Sequence, residues 1–292
     1  MNLLVSKSRR KGAKTKLIVF LILAGILVLL GIFAPMLTPN DPDATSALDM
    51  NQGPSAKFPL GTDRYGRCVL SRVMMGARTS IFSAVTLVAI TFVIGSLLGM
   101  SAGWYGGVVD TIIMRLADVL LAFPQMVLAI AVAGILGGGM GNAMLAMGIT
   151  GWTLYARLAR AKVLALKEEP YVHAARLSGC SGWTIMLRTL LPNMLGTMLV
   201  TAATQIGAMM IGIAGLSFLG IGVIEPQAEW GSMINTSRAY LQLAPWAVLA
   251  PAVATIVTVM IFNYLGDCVR DALDVEGEPR HAGNSGKVEV ER

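Results

Sequence analysis

Tyr171-Val172-His173-Ala174-Ala175-Arg176-Leu177-Ser178-Gly179, with Leu191-Pro192 beginning twelve residues after the glycine, is the stretch whose reading decides the fold. Glu168, Glu169 and Pro170 stand just before it, where acidic residues and a first-turn proline favour a helix start. Gly179 stands where a left-handed C-terminal cap is wanted. The pattern predicts a helix of about two turns, far below the roughly 20 residues needed to cross a bilayer. Its adjacent alanines give a low-relief face that fits a groove on another protein. A helix this short is marginal alone, so a docking partner accounts for its presence. Pro192 suits the first turn of the following helix.

Working outward, the loop lies between long apolar runs. Six runs are long enough to span: Leu17–Leu37, Ser80–Gly103, Leu116–Leu136, Asn142–Ala159, Asn193–Gly222 and Trp246–Gly266. Of the 292 residues, 55% are hydrophobic and 14% charged, which excludes an ordinary water-soluble globule. The first run follows Lys7, Arg9, Arg10, Lys11, Lys14 and Lys16 like a signal peptide, but it is too long for a signal core and lacks a clean cleavage site. It reads as an uncleaved first span.

Basic residues orient the spans. The N-terminal cluster and the group Arg157, Arg160, Lys162, Lys167, Arg176 and Arg188 belong in the cytoplasm, while Val223 to Pro245 carries only Arg238. Six spans then place both termini inside. Thr38 to Thr79 strains this topology, because Lys57, Arg64, Arg67, Arg72 and Arg78 would lie outside among four aspartates. The net charge of +6 follows from topology and not from a nucleic-acid stripe. Cys68, Cys180 and Cys268 are widely separated and form no Cys-x-x-Cys.

The expectation is therefore an all-α, polytopic membrane protein. It comprises a basic start (1–16), a first span (17–37), an extracytoplasmic segment (38–79), a core of five spans (80–266) containing the loop 160–192, and a cytoplasmic tail (267–292) whose polar end is disordered.

Ala174-Ala175-x3-Gly179 followed by Leu191-Pro192 resembles the EAA loop of binding-protein-dependent ABC importer permeases. His173 departs from the glutamate usual there. Leu60-Gly61-Thr62-Asp63-Arg64-Tyr65-Gly66-Arg67, continuing to Gly76-Ala77-Arg78-Thr79-Ser80, is similar to the nickel, dipeptide and oligopeptide branch. So are Ala214 to Gly222 with Glu229-Trp230-Gly231, and the ending Asn263-Tyr264-Leu265-Gly266-Asp267.

The resemblance implies a type I importer fold in the cell membrane of a bacterium or archaeon. It implies a heterodimer with a second permease, two ATP-binding subunits on the cytoplasmic side, and an extracytoplasmic solute-binding protein. His173, Ala174, Ala175, Gly179, Leu191 and Pro192 become the expected ATPase-coupling residues. Independently, the chain has no Gly-x4-Gly-Lys-Ser/Thr phosphate loop, so it is expected to be no enzyme and to bind no cofactor, with ATP held by partner subunits.

Gln125, Gln205 and Asn263 are candidates for lining the pathway, because polar groups avoid lipid; helix-to-helix hydrogen bonding fits each equally well. Glycines 207, 212, 215, 220 and 222 suit close helix packing. Arg115 and Asp118, three apart, are expected to pair. Trp152-x2-Tyr155-Ala156-Arg157 and Ile206-Gly207-x-Met209-Met210 look closer to nickel than to peptide permeases, which makes chelated nickel the first choice of solute and a dipeptide or oligopeptide the alternative.

Ligand chemistry adds little. The only histidines are His173 and His281, and Met209 and Met210 fit core packing better than metal coordination. An intramembrane protease built on Ser217 lacks a histidine in any span. An ion-coupled secondary transporter would place an acid deep in a span, and none is there.

Overall fold

The computed structural model describes residues 2–277, with side chains described over 14–272. The expected disordered tail end and His281 lie outside the described residues. The described chain is almost wholly helical, with one isolated antiparallel bridge, Thr62 to Cys68.

The elements run α1 (Asn2–Leu37), α2 (Val69–Tyr105), α3 (Gly107–Leu121), α4 (Gln125–Leu136), α5 (Met140–Leu166), α6 (Pro170–Leu177), α7 (Gly182–Ile185), α8 (Leu191–Phe218), α9 (Trp230–Ser237) and α10 (Pro245–Gly277). Four stretches are long and apolar enough to cross a membrane: Lys14–Leu37, Val69–Tyr105, Gly182–Phe218 and Pro245–Ala272. The pair α3 and α4 makes a fifth only if counted as one bent span. The end bearing α6 is called inner below, following the basic residues, and the opposite end outer.

Three of the expected spans need correction. Leu116–Leu136 is not one helix: α3 stops at Leu121, α4 starts at Gln125 after Pro124, and the two axes meet at 89°. Pro124 has no N–H to continue the ladder, and the residue before a proline is pushed from helical geometry. At 12 residues α4 is about 18 Å long, short of a ~30 Å hydrocarbon core.

The fifth span begins at Gly182 and not at Asn193. The proline ring of Pro192 would collide with the carbonyl four residues before it, and a π-helical turn over Met186–Leu190 absorbs the misfit, with the Leu191 N–H reaching back to the Met186 carbonyl. The fourth, α5, is helical over 27 residues, yet its polar and basic content makes it less apolar than the four long spans.

The centre of the fold is the contact of α2 with α5. Gly95, Gly99 and Gly103 make a bare stripe at four-residue spacing, and α5 lies directly on it. A Cβ at Gly99 would fall 2.2 Å from the Ala156 carbonyl oxygen, and one at Gly95 2.3 Å from that of Trp152. Small residues let backbones approach where lipid offers no competing hydrophobic drive. The glycines of α8 face three different neighbours: Gly207 meets Asn263 of α10, Gly212 meets Met147 of α5, and Gly215 meets Met126 of α4. Helix α8 is thus wedged between the others. Around it the core is rich in buried methionine, including Met147, Met194, Met198, Met209 and Met210, whose flexible chains fill the gaps left by glycine.

Candidate functional site

Helix α6 forms as its local signals direct. Glu169 is its extended N-cap residue and Pro170 occupies the first turn. At the other end Gly179 has φ +77, the Cys180 N–H donates to the Ala175 carbonyl at 3.1 Å, and the Gly179 N–H donates to the Arg176 carbonyl at 3.0 Å. Those two bonds define a Schellman cap.

The helix is seated on its own chain by one side. Val172 is fully buried and Ala175 packs partly against the core. Tyr171, His173, Ala174 and Leu177 are exposed, Leu177 to 90%. The low-relief face available to another protein is therefore centred on Ala174, and Ala175 is turned partly inward. His173 Nε2 lies 3.8 Å from a Glu168 carboxylate oxygen, with both side chains more than half exposed, an arrangement worth little in water.

The loop also touches the inner end of α2. The Arg176 guanidinium lies over the Trp104 ring at 4.4 Å, and a Cβ at Gly182 would fall 2.7 Å from Trp104 Nε1. Trp104 fills the elbow between α6 and α7, so these helices and α2 share one contact. Leu191 is half-buried and Pro192 exposed.

Just beside the loop, Arg160 of α5 donates to both carboxylate oxygens of Asp110 at 2.5 and 2.6 Å, and Arg157 donates to Asp118 at 2.6 Å. The expected pairing of Arg115 with Asp118 is not formed: Asp118 turns to α5 instead. Between the two ion pairs α3 advances eight residues, about 12 Å, and α5 only three, about 4.5 Å, so the helices cross obliquely.

The three candidate pathway residues do not come together. Gln125 is exposed at the start of α4, Gln205 is half-buried on α8, and Asn263 is exposed on α10, with its side chain against Gly207. Two residues correspond to about 200° around a helix, so Gln205 points away from the side of α8 that meets Asn263. Met209 and Met210 are almost fully buried, and the Met209 methyl lies 3.1 Å from where a Cβ at Gly151 would be. Among the described residues no group of three or more His, Cys, Asp or Glu side chains is placed to hold a metal ion. Ser217 is buried and accepts from the Val223 N–H at 3.2 Å, closing the turn after α8.

Sequence reasoning missed a second polar assembly, at the outer end. Arg67 donates to Asp63 at 2.7 Å and to Glu225 at 3.1 Å. Arg72 donates to Asp43 at 2.9 Å and to the carbonyls of Pro42 and Pro226, each at 3.1 Å. Both arginines are buried. The share of the topological strain that these two arginines carried is eased, since paired and buried cations do not act as free charges. Nearby, Glu229 caps α9 by accepting from the Gly231 and Ser232 N–H groups and the Ser80 hydroxyl. Burial pushes its carboxyl above the usual range, against the lowering effect of those donors.

Residues 95–275 match the family described as binding-protein-dependent transport system inner membrane component. The dipeptide transport system permease protein DppC of Alkalihalophilus pseudofirmus is 40% identical over 262 residues, covering 89% of this chain and 86% of the relative. The glutathione transport system permease protein GsiD of Pectobacterium atrosepticum is 42% identical over 250 residues, covering 85% and 83%. The nickel transport system permease protein NikC of Escherichia coli is 37% identical over 262 residues, covering 90% and 95%. Among solved structures, the inward facing MetNI methionine ABC transporter aligns with a TM-score of 0.49 at 18% identity, over 67% of this chain and 94% of that one.

Proposed function

Because the chain belongs to the family of binding-protein-dependent transport system inner membrane components, we propose that it forms half of a solute pathway with a second permease and takes its energy from ATPase subunits docked on α6. The observation that carries the docking reading is the capped α6, buried through Val172 and exposed through Ala174 and Leu177. The exposed Leu177 and Ala174 form the face that a groove on a partner would receive.

In this reading His173, Ala174, Gly179 and Leu177 meet the ATPase, Ala175 ties the helix to its own chain, and Leu191 and Pro192 set the joint into α8. ATP-driven movement of the ATPases displaces α6 as a unit. Arg176 and Gly182 both bear on Trp104, so the displacement reaches the inner end of α2. Helix α2 is 37 residues, about 55 Å, and is held along the glycine stripe to α5. Movement of α6 therefore tilts the α2 and α5 pair and does not merely bend a loop. A switch of this kind needs two arrangements of similar energy, each favoured by a different ligand. Solute arrives from an extracytoplasmic binding protein.

The solute we propose is a short peptide or peptide-like molecule, supported by the dipeptide and glutathione relatives at 40% and 42% identity. Chelated nickel is the second reading, supported by the nickel relative, of which 95% is covered. In that case nickel crosses as substrate inside its chelate, a reading supported by the lack, among the described residues, of any group of three or more His, Cys, Asp or Glu placed to hold the bare ion.

The test is uptake by the assembled importer in vesicles, with labelled dipeptide and radioactive nickel measured separately and in competition. Dipeptide uptake unaffected by nickel supports the first reading, and nickel uptake unaffected by peptides replaces it with the second. Docking is tested by an Ala174→Cys variant, which is expected to cross-link to the ATPase subunit; cross-linking only to the second permease would refute it.

A further inference from the structure

We propose that the cavity between α1, α2 and the outer loops is a binding site for a zwitterionic phospholipid headgroup, with the lipid phosphate on Arg78 and the headgroup amine near Asp43.

The cavity has a volume of ≈ 670 Å³, within the ordinary range for a small-ligand site. Arg78 stands in its wall, and it differs from Arg67 and Arg72, its neighbours at the outer end. Arg67, Arg72, Arg157 and Arg160 each have a carboxylate within ion-pair distance, whereas no carboxylate among the described residues pairs with Arg78. Its side chain is exposed.

Its depth makes this costly. A Cβ at Gly31 of α1 would lie 3.5 Å from the Arg78 Cα, and Gly31 is six residues, about 9 Å, short of the outer end of α1 at Leu37. An unpaired cation at that level is unfavourable unless it reaches the interface or gains an anion. A guanidinium matches two phosphate oxygens with parallel N–H donors, and a phospholipid supplies that phosphate at this depth.

The rest of the wall fits the same ligand. Thr79 and Ser83 are four residues apart on α2 and line the cavity, so their hydroxyls are stacked on one face where glycerol ester oxygens would lie. Ile32 and Phe82 give the apolar side along which acyl chains leave. Asp43 also lines the cavity, held by Arg72 at 2.9 Å and half exposed, and would repel a second negative charge. That favours an ethanolamine headgroup over glycerol or serine. A free dipeptide shares the amine and anion but not the acyl chains, and the apolar Ile32 and Phe82 in the wall, with Ile32 half exposed on α1, favour the lipid.

The experiment uses the assembled importer, purified in mild detergent from membranes with phosphatidylethanolamine and phosphatidylglycerol, with retained lipids counted by native mass spectrometry. Retention of phosphatidylethanolamine is expected for the wild type and Arg78→Lys, with roughly tenfold less for Arg78→Gln, the loss expected of one charge-assisted contact. Ser83→Trp, which fills the cavity and leaves Arg78 in place, should release the lipid equally, and it decides the matter if Arg78→Gln fails to assemble. Saturating dipeptide should not displace the lipid. Unchanged retention in Ser83→Trp, displacement by dipeptide, or efficient cross-linking of Ser83→Cys to the second permease would each overturn the proposal.

Discussion

Replacing Gly179 with alanine tests whether α6 must end where it does. The φ of +77 places Gly179 in the left-handed region, and a Cβ there would meet nothing within 4 Å. No clash therefore contributes, and the cost is that of the backbone alone, about 1–2 kcal/mol for an L-residue in this conformation. The lower entropy of alanine in the unfolded loop offsets a fraction of a kcal/mol of that cost. At a working value of about 1 kcal/mol, the capped population falls roughly fivefold. Helix α6 has only eight residues and cannot absorb the loss through its own propensity. In the reconstituted importer, hydrogen exchange at Ser178, Gly179 and Cys180, whose N–H groups close the cap, should accelerate by that factor, and uptake should fall comparably. Gly179→Asn should do less harm, because asparagine enters the left-handed region more readily. Wild-type exchange and uptake in Gly179→Ala would refute the capping account. Equal damage from asparagine and alanine would show that bulk against a partner, and not backbone geometry, matters at this position.

Three further outcomes follow from the same contacts. Ala174→Glu adds charge and bulk to the exposed centre of α6 and should reduce ATPase copurification and uptake at least about tenfold, while the thermal unfolding midpoint stays unchanged; Ala175→Glu is a poorer probe because Ala175 also packs on its own chain. Trp104→Ala removes the ring under Arg176 and the filling beside Gly182, and should leave ATP hydrolysis running with little uptake; Trp104→Phe should restore much of the coupling, and equal loss of both activities in Trp104→Ala would count against a transmitting contact. Arg67→Met leaves buried Asp63 with only Arg72, 3.9 Å away, as a cation and should cost about 3 kcal/mol, the low end for a broken buried pair, seen as a lower unfolding midpoint in detergent. Adding Asp63→Asn, which keeps an acceptor for the Tyr65 and Arg67 N–H groups, should recover most of it.

What could be read from the sequence was what neighbours in sequence decide. The start and stop of α6 are written within a dozen residues by Pro170 and Gly179, and the structure forms the helix between them. The four long spans follow from run length. The break after Leu121 was hidden because Leu116 to Leu136 is apolar apart from Asp118 and Gln125: hydropathy weighs residues without regard to direction, and only Pro124 marked the turn. Asp118 was misassigned for a similar reason. Its true partner, Arg157, is 39 residues away, and proximity in sequence favoured Arg115. The bond from Arg67 to Glu225 spans 158 residues, beyond any local rule. The stripe Gly95, Gly99, Gly103 carried a legible four-residue spacing, which marks the most intimate helix contact of the fold.

The stretch Leu60 to Ser80 explains why family could be read and solute could not. Its glycines are where neighbours crowd the backbone: a Cβ at Gly61 would fall 2.5 Å from Trp246 Nε1, at Gly66 2.0 Å from the Ser46 carbonyl, and at Gly76 2.8 Å from the Trp230 ring. Arg67 and Arg72 bind loops from both sides, and Ser80 reaches Glu229. Apart from Arg78, the distinctive residues of the motif are thus largely engaged in fastening the outer segment to α2, α9 and α10. A motif made of such contacts is demanded by the scaffold whatever passes through it, and relatives named for dipeptide, glutathione and nickel transport fall within a few per cent identity of one another here. Discrimination among solutes must then rest on side chains that no scaffold contact dictates. Asn263 packs on Gly207 and is tied to the scaffold, so Gln125 and Gln205 are the candidates left, and exchanging these two for apolar residues is expected to alter solute preference while leaving the unfolding midpoint in place.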